Sequence, residues 1–362
     1  MIEHAYIHIP FCLRKCKYCS FVSGFDISAK NDYLFALKNE ISKRYKGDLL
    51  KTLYFGGGTP SLLESIEIEE LLNMFNLDTE AEITLEANPE TVTEEKFLQF
   101  KKVGINRISL GVQSFKDELL ALIGRNHSKQ NIYSALENIK SAGFKNISID
   151  LIYGLPSQTT KMFYEDLQEA VKLGTTHIST YGLKIENGSF FGKNPPENLP
   201  DDEIQAQMYK MLCEFLKEND FLHYEISNFA KKGFYSRHNC AYWQNKNYYG
   251  FGLNASGYEN MTRYRNIENF KMYIKNPLLK EEENVLTFEE KLEEEIFLAL
   301  RLTEGVNIAQ INEKFGIDFC KKYSKILEKY LKNGLLKYDE NRCYLTEEGF
   351  LLSNNIMAEF IE

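Results

Sequence analysis

The chain of 362 residues has no apolar run long enough to cross a bilayer, which argues against a membrane-spanning helix. It also lacks a basic excess. Its 43 lysines and arginines stand against 52 aspartates and glutamates, a net charge of −9, so nothing in the composition supports the counterion exchange that drives nucleic-acid binding. Proline is sparse, at 8 residues, and there is no low-complexity tract, which excludes a disordered or collagen-like chain. No basic n-region followed by an apolar core opens the sequence, and the expected location is the cytoplasm. Of seven cysteines, Cys213, Cys240, Cys320 and Cys343 are scattered and read as packing residues in a reducing compartment, not as a disulfide scaffold. Tryptophan occurs once, at Trp243.

The other three cysteines are clustered. Cys12, Cys16 and Cys19 follow a short β-like run, with three and then two residues between them. A zinc site usually wants a closed set of four ligands. A cubane of four irons also needs four ligands, so three thiolates in one compact loop leave one iron open to a substrate or cofactor. The Cys-x3-Cys-x2-Cys spacing, preceded by Tyr6-Ile-His-Ile-Pro-Phe11, resembles the radical S-adenosylmethionine (SAM) enzymes. That resemblance implies a 4Fe-4S cluster whose open iron is chelated by the amino and carboxylate groups of SAM.

Strand-like runs at residues 6–9, 52–55, 82–86, 107–111, 148–152 and 177–183 alternate with helical spacing of apolar residues, such as Ile132, Leu136 and Ile139. Six such units predict an α/β fold with a parallel sheet, a partial (β/α)6 barrel whose site lies in the loops after the strands. The expected organisation is a barrel over residues 1–185, a family-specific extension over 186–284 and a small, mainly helical, winged-helix-like domain over 285–362. That last segment carries ten basic residues against fifteen acidic, so a DNA footprint is absent there as well.

Each run ends in polar or glycine-rich sequence. The second leads into Gly56-Gly57-Gly58-Thr59-Pro60, where backbone N–H groups can approach a ligand that a Cβ would hold off. Glu86, Gln113 with Arg125 twelve residues beyond, and Asp150 are suited to the amino, carboxylate and ribose groups of SAM, because carboxylates accept from hydroxyls and ammonium while arginine forks onto a carboxylate.

Together these motifs resemble the coproporphyrinogen dehydrogenase branch of the radical SAM superfamily, which comprises oxygen-independent coproporphyrinogen III oxidases and the shorter haem chaperones of the HemW branch. The resemblance implies that Cys12, Cys16 and Cys19 hold the cluster and that Tyr6, Tyr18, Gly57, Gly58, Thr59, Glu86, Gln113, Arg125 and Asp150 line the SAM pocket. Three features favour the chaperones. The oxidases carry a fourth cysteine where this chain reads Cys19-Ser20-Phe21, and they carry an N-terminal arm ahead of the first strand. The stretch Arg237-His238-Asn239-Cys240-Ala241-Tyr242-Trp243 contains His-Asn-x-x-Tyr-Trp, similar to the haem-related motif of the chaperones. His238 is a candidate axial ligand and Trp243 a candidate stacking residue for haem; the plainer alternative makes His238 a hydrogen-bonded structural residue and Trp243 core. Cys240 is a further candidate thiolate. A departure follows, since Asn254 and Ser256 stand where relatives usually have glycine and histidine.

The function implied is that of a haem chaperone binding a 4Fe-4S cluster, SAM and haem, and passing haem to apoproteins such as respiratory enzymes. The alternative is an oxygen-independent coproporphyrinogen III dehydrogenase. The resemblance leaves room for peripheral membrane contact and for a homodimer.

Overall fold

A computed structural model describes residues 1–339 and 341–361. Its core is one nine-stranded sheet. Strands β1 (His4–Ile9), β2 (Leu49–Gly57), β3 (Asn76–Ala87), β4 (Arg107–Gln113), β5 (Asn146–Tyr153) and β6 (His177–Gly182) lie side by side and parallel in that order. The antiparallel pair β7 (Leu222–Glu225) and β8 (Asn228–Ala230) extends the sheet beyond β6, while β9 (Tyr249–Phe251) runs parallel to β1 at the other edge. The sheet does not close: β7 and β9 are its two edges. The expected six-unit parallel barrel is therefore present and open, with three further strands.

Register explains its two faces. Successive residues of a strand alternate sides. The rows Ile7–Phe55–Leu85–Ile108–Ile147 and Leu110–Ile149–Ile178 put buried apolar side chains on one side. On that side pack helices α1 (Lys30–Arg44), α2 (Ser65–Leu72), α3 (Glu94–Lys102), α4 (Asp117–Leu122), α5 (Lys129–Ser141) and α6 (Thr160–Lys172), which bury stripes such as Ile132, Ala135, Leu136 and Ile139 of α5. Their starts are fixed locally. Ser128 accepts from the Asn131 N–H and Thr159 from the Met162 N–H, satisfying donors that a helix N-terminus leaves without partners. The alternate rows are polar: His4–Thr52–Glu82, Glu86–Ser109–Ser148–His177 and Gly111–Asp150–Ser179. This polar inner face is what positions the site.

Beyond the barrel come α7 (Phe190–Lys193), α8 (Asp202–Glu218, capped by Asp201) and α9 (Arg237–Trp243), then a three-stranded antiparallel sheet of β10 (Ser256–Glu259), β11 (Thr262–Asn266) and β12 (Lys280–Val285), with α10 (Phe270–Lys275) between β11 and β12. From α11 (Phe288–Ala299) onward the chain is mainly helical. It also holds a second small sheet of β13 (Val306–Asn307), β14 (Leu336–Tyr338) and β15 (Arg342–Leu345), the last two paired antiparallel. Among the described residues no helix is long and apolar enough to cross a membrane.

Candidate functional site

The loop after β1 is pinned at its base by the Gly24 N–H on the Pro10 carbonyl (2.9 Å) and sideways by the Lys17 N–H on the Ile123 carbonyl (2.9 Å). It presents Cys12, Cys16 and Cys19 to one wall of a cavity of about 1230 Å³ at the C-terminal ends of the strands. That volume exceeds the roughly 300–1,000 Å³ of an ordinary small-molecule pocket. Eleven of the twelve residues expected to serve the cluster and SAM line it: the three cysteines, Tyr18, Gly57, Gly58, Thr59, Glu86, Gln113, Arg125 and Asp150. Tyr6 sits outside the lining, its ring against that of Tyr54 and its hydroxyl 3.2 Å from His8 Nδ1.

The glycines of the second loop are required by contact. A Cβ at Gly58 would fall 2.5 Å from the Phe11 carbonyl oxygen, and Gly57 combines φ of +113° with a His8 ring 2.5 Å from where its Cβ would be. Gln113 reaches the cavity through a different device. A bulge ends β4, and Gln113 takes φ of +69°, a conformation costly for a non-glycine residue and common where a binding site holds a side chain in place.

A polar chain links the cysteine loop to the far strands. Arg125 donates through Nη1 to Asn88 Oδ1 (2.8 Å) and through Nη2 to the Tyr18 hydroxyl (2.9 Å); Asn88 Nδ2 donates to Thr59 Oγ1 (3.0 Å), whose hydroxyl points at Cys12 Sγ (3.7 Å). The Arg125 Nε is buried without a partner, a donor left over for a ligand. Asn88 and Tyr54 were not among the expected site residues. Asn88 stands in the Glu86-Ala-Asn88-Pro89 turn, where asparagine before proline reads as turn chemistry.

Glu86 accepts from the Tyr54 hydroxyl (2.8 Å) and the Gly57 N–H (3.1 Å), yet burial pushes its carboxyl up to about 7. Asp150 is likewise raised by burial and accepts from Ser109 Oγ at 3.2 Å. Burial also raises the thiols of Cys16 and Cys19, disfavouring free thiolates in the way a positive metal centre would reverse. Among the described residues no three His, Cys, Asp or Glu side chains converge as they would on a single metal ion. A cubane takes its thiolates on separate irons, so three cysteines on one loop wall suit the cluster better than zinc.

His238 and Trp243 lie elsewhere. They belong to α9, whose first N–H groups, from Arg237 and His238, donate to the Glu82 carboxylate (3.1 Å each) on the polar inner face of the sheet. His238 is 1% exposed, with Nδ1 2.7 Å from Thr52 Oγ1 and Nε2 2.8 Å from the Tyr242 hydroxyl, and its ring lies over Tyr54 at 5.1 Å. Both nitrogens are engaged, so an iron ligand at either would have to displace Thr52 or Tyr242. Cys240 is pushed up to about 12 by burial, away from thiolate. Trp243 carries the Arg301 guanidinium over its ring, 4.2 Å from the centroid.

Comparison with known proteins identifies the family and the fold. Residues 6–170 match the Radical SAM superfamily, a domain that implies a 4Fe-4S cluster and SAM, and residues 286–352 match the HemN C-terminal domain. The solved coproporphyrinogen III oxidase (HemN) of Escherichia coli superposes with a TM-score of 0.87 over 99% of this chain and 90% of that one, at 24% identity, which shows a shared fold. The heme chaperone HemW of Lactococcus lactis is 38% identical over 99% of this chain and 97% of its own length, and that of Bacillus subtilis is 38% identical over 99% of each. The chain belongs to the HemW family of radical SAM proteins.

Proposed function

We propose that this protein is a haem chaperone, holding a 4Fe-4S cluster on Cys12, Cys16 and Cys19, binding SAM beside it, and passing haem to cytoplasmic or membrane-facing apoproteins such as respiratory enzymes. The observation that carries this reading is the match, over nearly the whole length, to relatives named heme chaperone. When bound, a cluster with one open iron supplies an electron and a chelation point for the amino acid end of SAM. The chain's own residues hold the rest. Arg125 offers its spare Nε to the carboxylate, Glu86 and Asp150 accept from ammonium or ribose hydroxyls, and Gln113 offers both a donor and an acceptor. The exposed apolar side chains Phe21, Tyr181 and Leu352 on the cavity wall suit a flat apolar macrocycle.

The test splits one anaerobically reconstituted preparation. One half receives coproporphyrinogen III, SAM and a reductant; the other is titrated with haem and then mixed with an apoprotein that needs it. Stoichiometric haem binding and transfer, without decarboxylated product, is the expected result. Catalytic decarboxylation would overturn the chaperone reading in favour of the oxidase.

A further inference from the structure

The cavity has a second flank that the cluster and SAM residues leave unused. Arg301 lies on it, with Ile226 and Ser227. Its backbone is clamped: the Ile226 N–H donates to the Arg301 carbonyl (3.1 Å), and two residues on the Thr303 N–H donates to the Tyr224 carbonyl (3.1 Å). This fixes Arg301 beside β7 and β8, at the sheet edge across from β1 and its cysteine loop.

The side chain is held in place but incompletely satisfied. Its guanidinium lies over Trp243, and its Nη2 is 4.0 Å from Glu225 Oε2, too long for a hydrogen bond. Glu225 is satisfied elsewhere through Oε1, which accepts from the Ser227 N–H (3.1 Å) and the Asn228 amide. Arg301 Nε, Trp243 Nε1 and Glu225 Oε2 are all buried without hydrogen-bond partners, and buried polar atoms in a folded protein are seldom left so unless a ligand or water completes them. Burial pushes the Glu225 carboxyl up to about 7, so it neutralises Arg301 only in part near neutrality. Of the other cavity cations, Arg14 belongs to the cysteine loop on the opposite flank, and the remaining three are committed. Arg125 is bonded to Asn88 and Tyr18, Lys15 donates to the Phe21 carbonyl (3.1 Å), and Lys184 pairs with Glu186 (2.8 Å).

We propose that Arg301, stacked on Trp243, grips a carboxylate of the cargo, so that the His-Asn-x-x-Tyr-Trp motif serves haem binding through its tryptophan and an arginine that follows α11. This rests on the haem reading above and adds to it a named contact. Haem suits the place because it joins an apolar macrocycle, which Phe21, Tyr181 and Leu352 can cover, to propionates that an arginine fork accepts. Trp243 is then a positioning residue. It orients the guanidinium by cation–π contact without touching the carboxylate.

The experiment titrates the full-length reconstituted protein with haem and with haem dimethyl ester, whose propionates carry no charge, and follows the Soret band. Wild type is expected to bind haem roughly ten- to a hundredfold more tightly than the ester, the range of a hydrogen bond to a charged group. Arg301→Gln should remove that preference and leave ester binding unchanged, an outcome that mere loss of structure does not give. If Arg301→Gln does not fold, Trp243→Leu decides: a loss confined to haem supports the proposal, and a preference for haem over the ester as large as that of wild type overturns it. Wild type that binds both ligands equally overturns the Arg301 contact alone. Wild type that binds neither overturns the chaperone reading and the contact with it.

Discussion

Thr52 Oγ1 stands 2.7 Å from Nδ1 of His238, and this contact joins α9 to the polar inner face of the sheet. The imidazole then lies over Tyr54, whose hydroxyl donates to Glu86, so the motif forms a floor under one of the residues proposed to bind SAM. Removing the ring strands the Tyr242 hydroxyl, leaves Thr52 with only its bond to His4 Nδ1 (3.0 Å), and opens a cavity. His238→Ala should therefore cost about 3 kcal/mol of stability, read by urea unfolding of the apoprotein. In folded His238→Ala at low temperature, the haem absorption spectrum should match wild type. A lost axial-ligand signature would mean that His238 leaves Thr52 or Tyr242 to bind iron.

Glu86 makes a pH prediction of definite sign. Its carboxyl titrates near 4.3 in an unfolded chain and near 7 in the folded apoprotein, because burial disfavours its charge. The folded state therefore binds the proton more tightly. The stability this group contributes is fully present below the unfolded value and is lost as pH rises through 4.3 toward 7, up to about 4 kcal/mol. His4, His8 and His223, pushed down to about 4 by burial, act in the opposite direction over much of that window. Wild type therefore masks the effect. The difference isolates it: Glu86→Gln minus wild type should become more favourable with rising pH between 5 and 7, at up to about 1.4 kcal/mol per pH unit. A flat difference in urea midpoints across that range would place the Glu86 proton elsewhere.

Much of this site is legible in the sequence because a parallel sheet delivers every strand end to the same rim. Cys12 follows β1, while Gly57, Glu86, Gln113 and Asp150 lie in the C-terminal halves of β2, β3, β4 and β5, and only such a topology gathers them. What could not be read is non-local or faces an unknown direction. Strands β7, β8 and β9 have three or four residues each, too few for an alternation to register, and β9 pairs with β1 across more than two hundred residues. Arg301 follows the acidic helix α11 and reads as a solvated charge; its place on the cavity depends on pairing with residues 224–226. The spacing in His-Asn-x-x-Tyr-Trp likewise says nothing about which way the imidazole turns.

Asn88 is the residue whose importance the structure adds. It receives Arg125 on its oxygen and holds Thr59 through its nitrogen, so one side chain sets both the fork facing the ligand and the hydroxyl over Cys12. Asn88→Ala frees Arg125 to rotate and should weaken SAM binding about tenfold or more in reconstituted protein, the effect of losing about 1.4 kcal/mol of orientation. Equilibrium dialysis with labelled SAM checks it. Affinity within twofold of wild type would reduce Asn88 to a turn residue.

The cysteines call for a graded test instead of a single deletion. Cys12, Cys16 and Cys19 occupy one wall of the cavity, and burial holds Cys16 and Cys19 in the thiol form until a cationic centre compensates. Cys16→Ala leaves two thiolates for a cubane that already has an open iron, and two are too few to retain it against chelator. Iron content and the broad absorbance near the visible edge should fall nearly to background in that variant. Cys213→Ala and Cys343→Ala, which alter buried cysteines outside the cavity, should keep the full complement of iron while losing some stability. Full iron in Cys16→Ala would mean that a fourth donor stands in for the thiolate and would remove the three-cysteine assignment. Iron lost equally from Cys213→Ala would tie the cluster to overall folding and not to this loop.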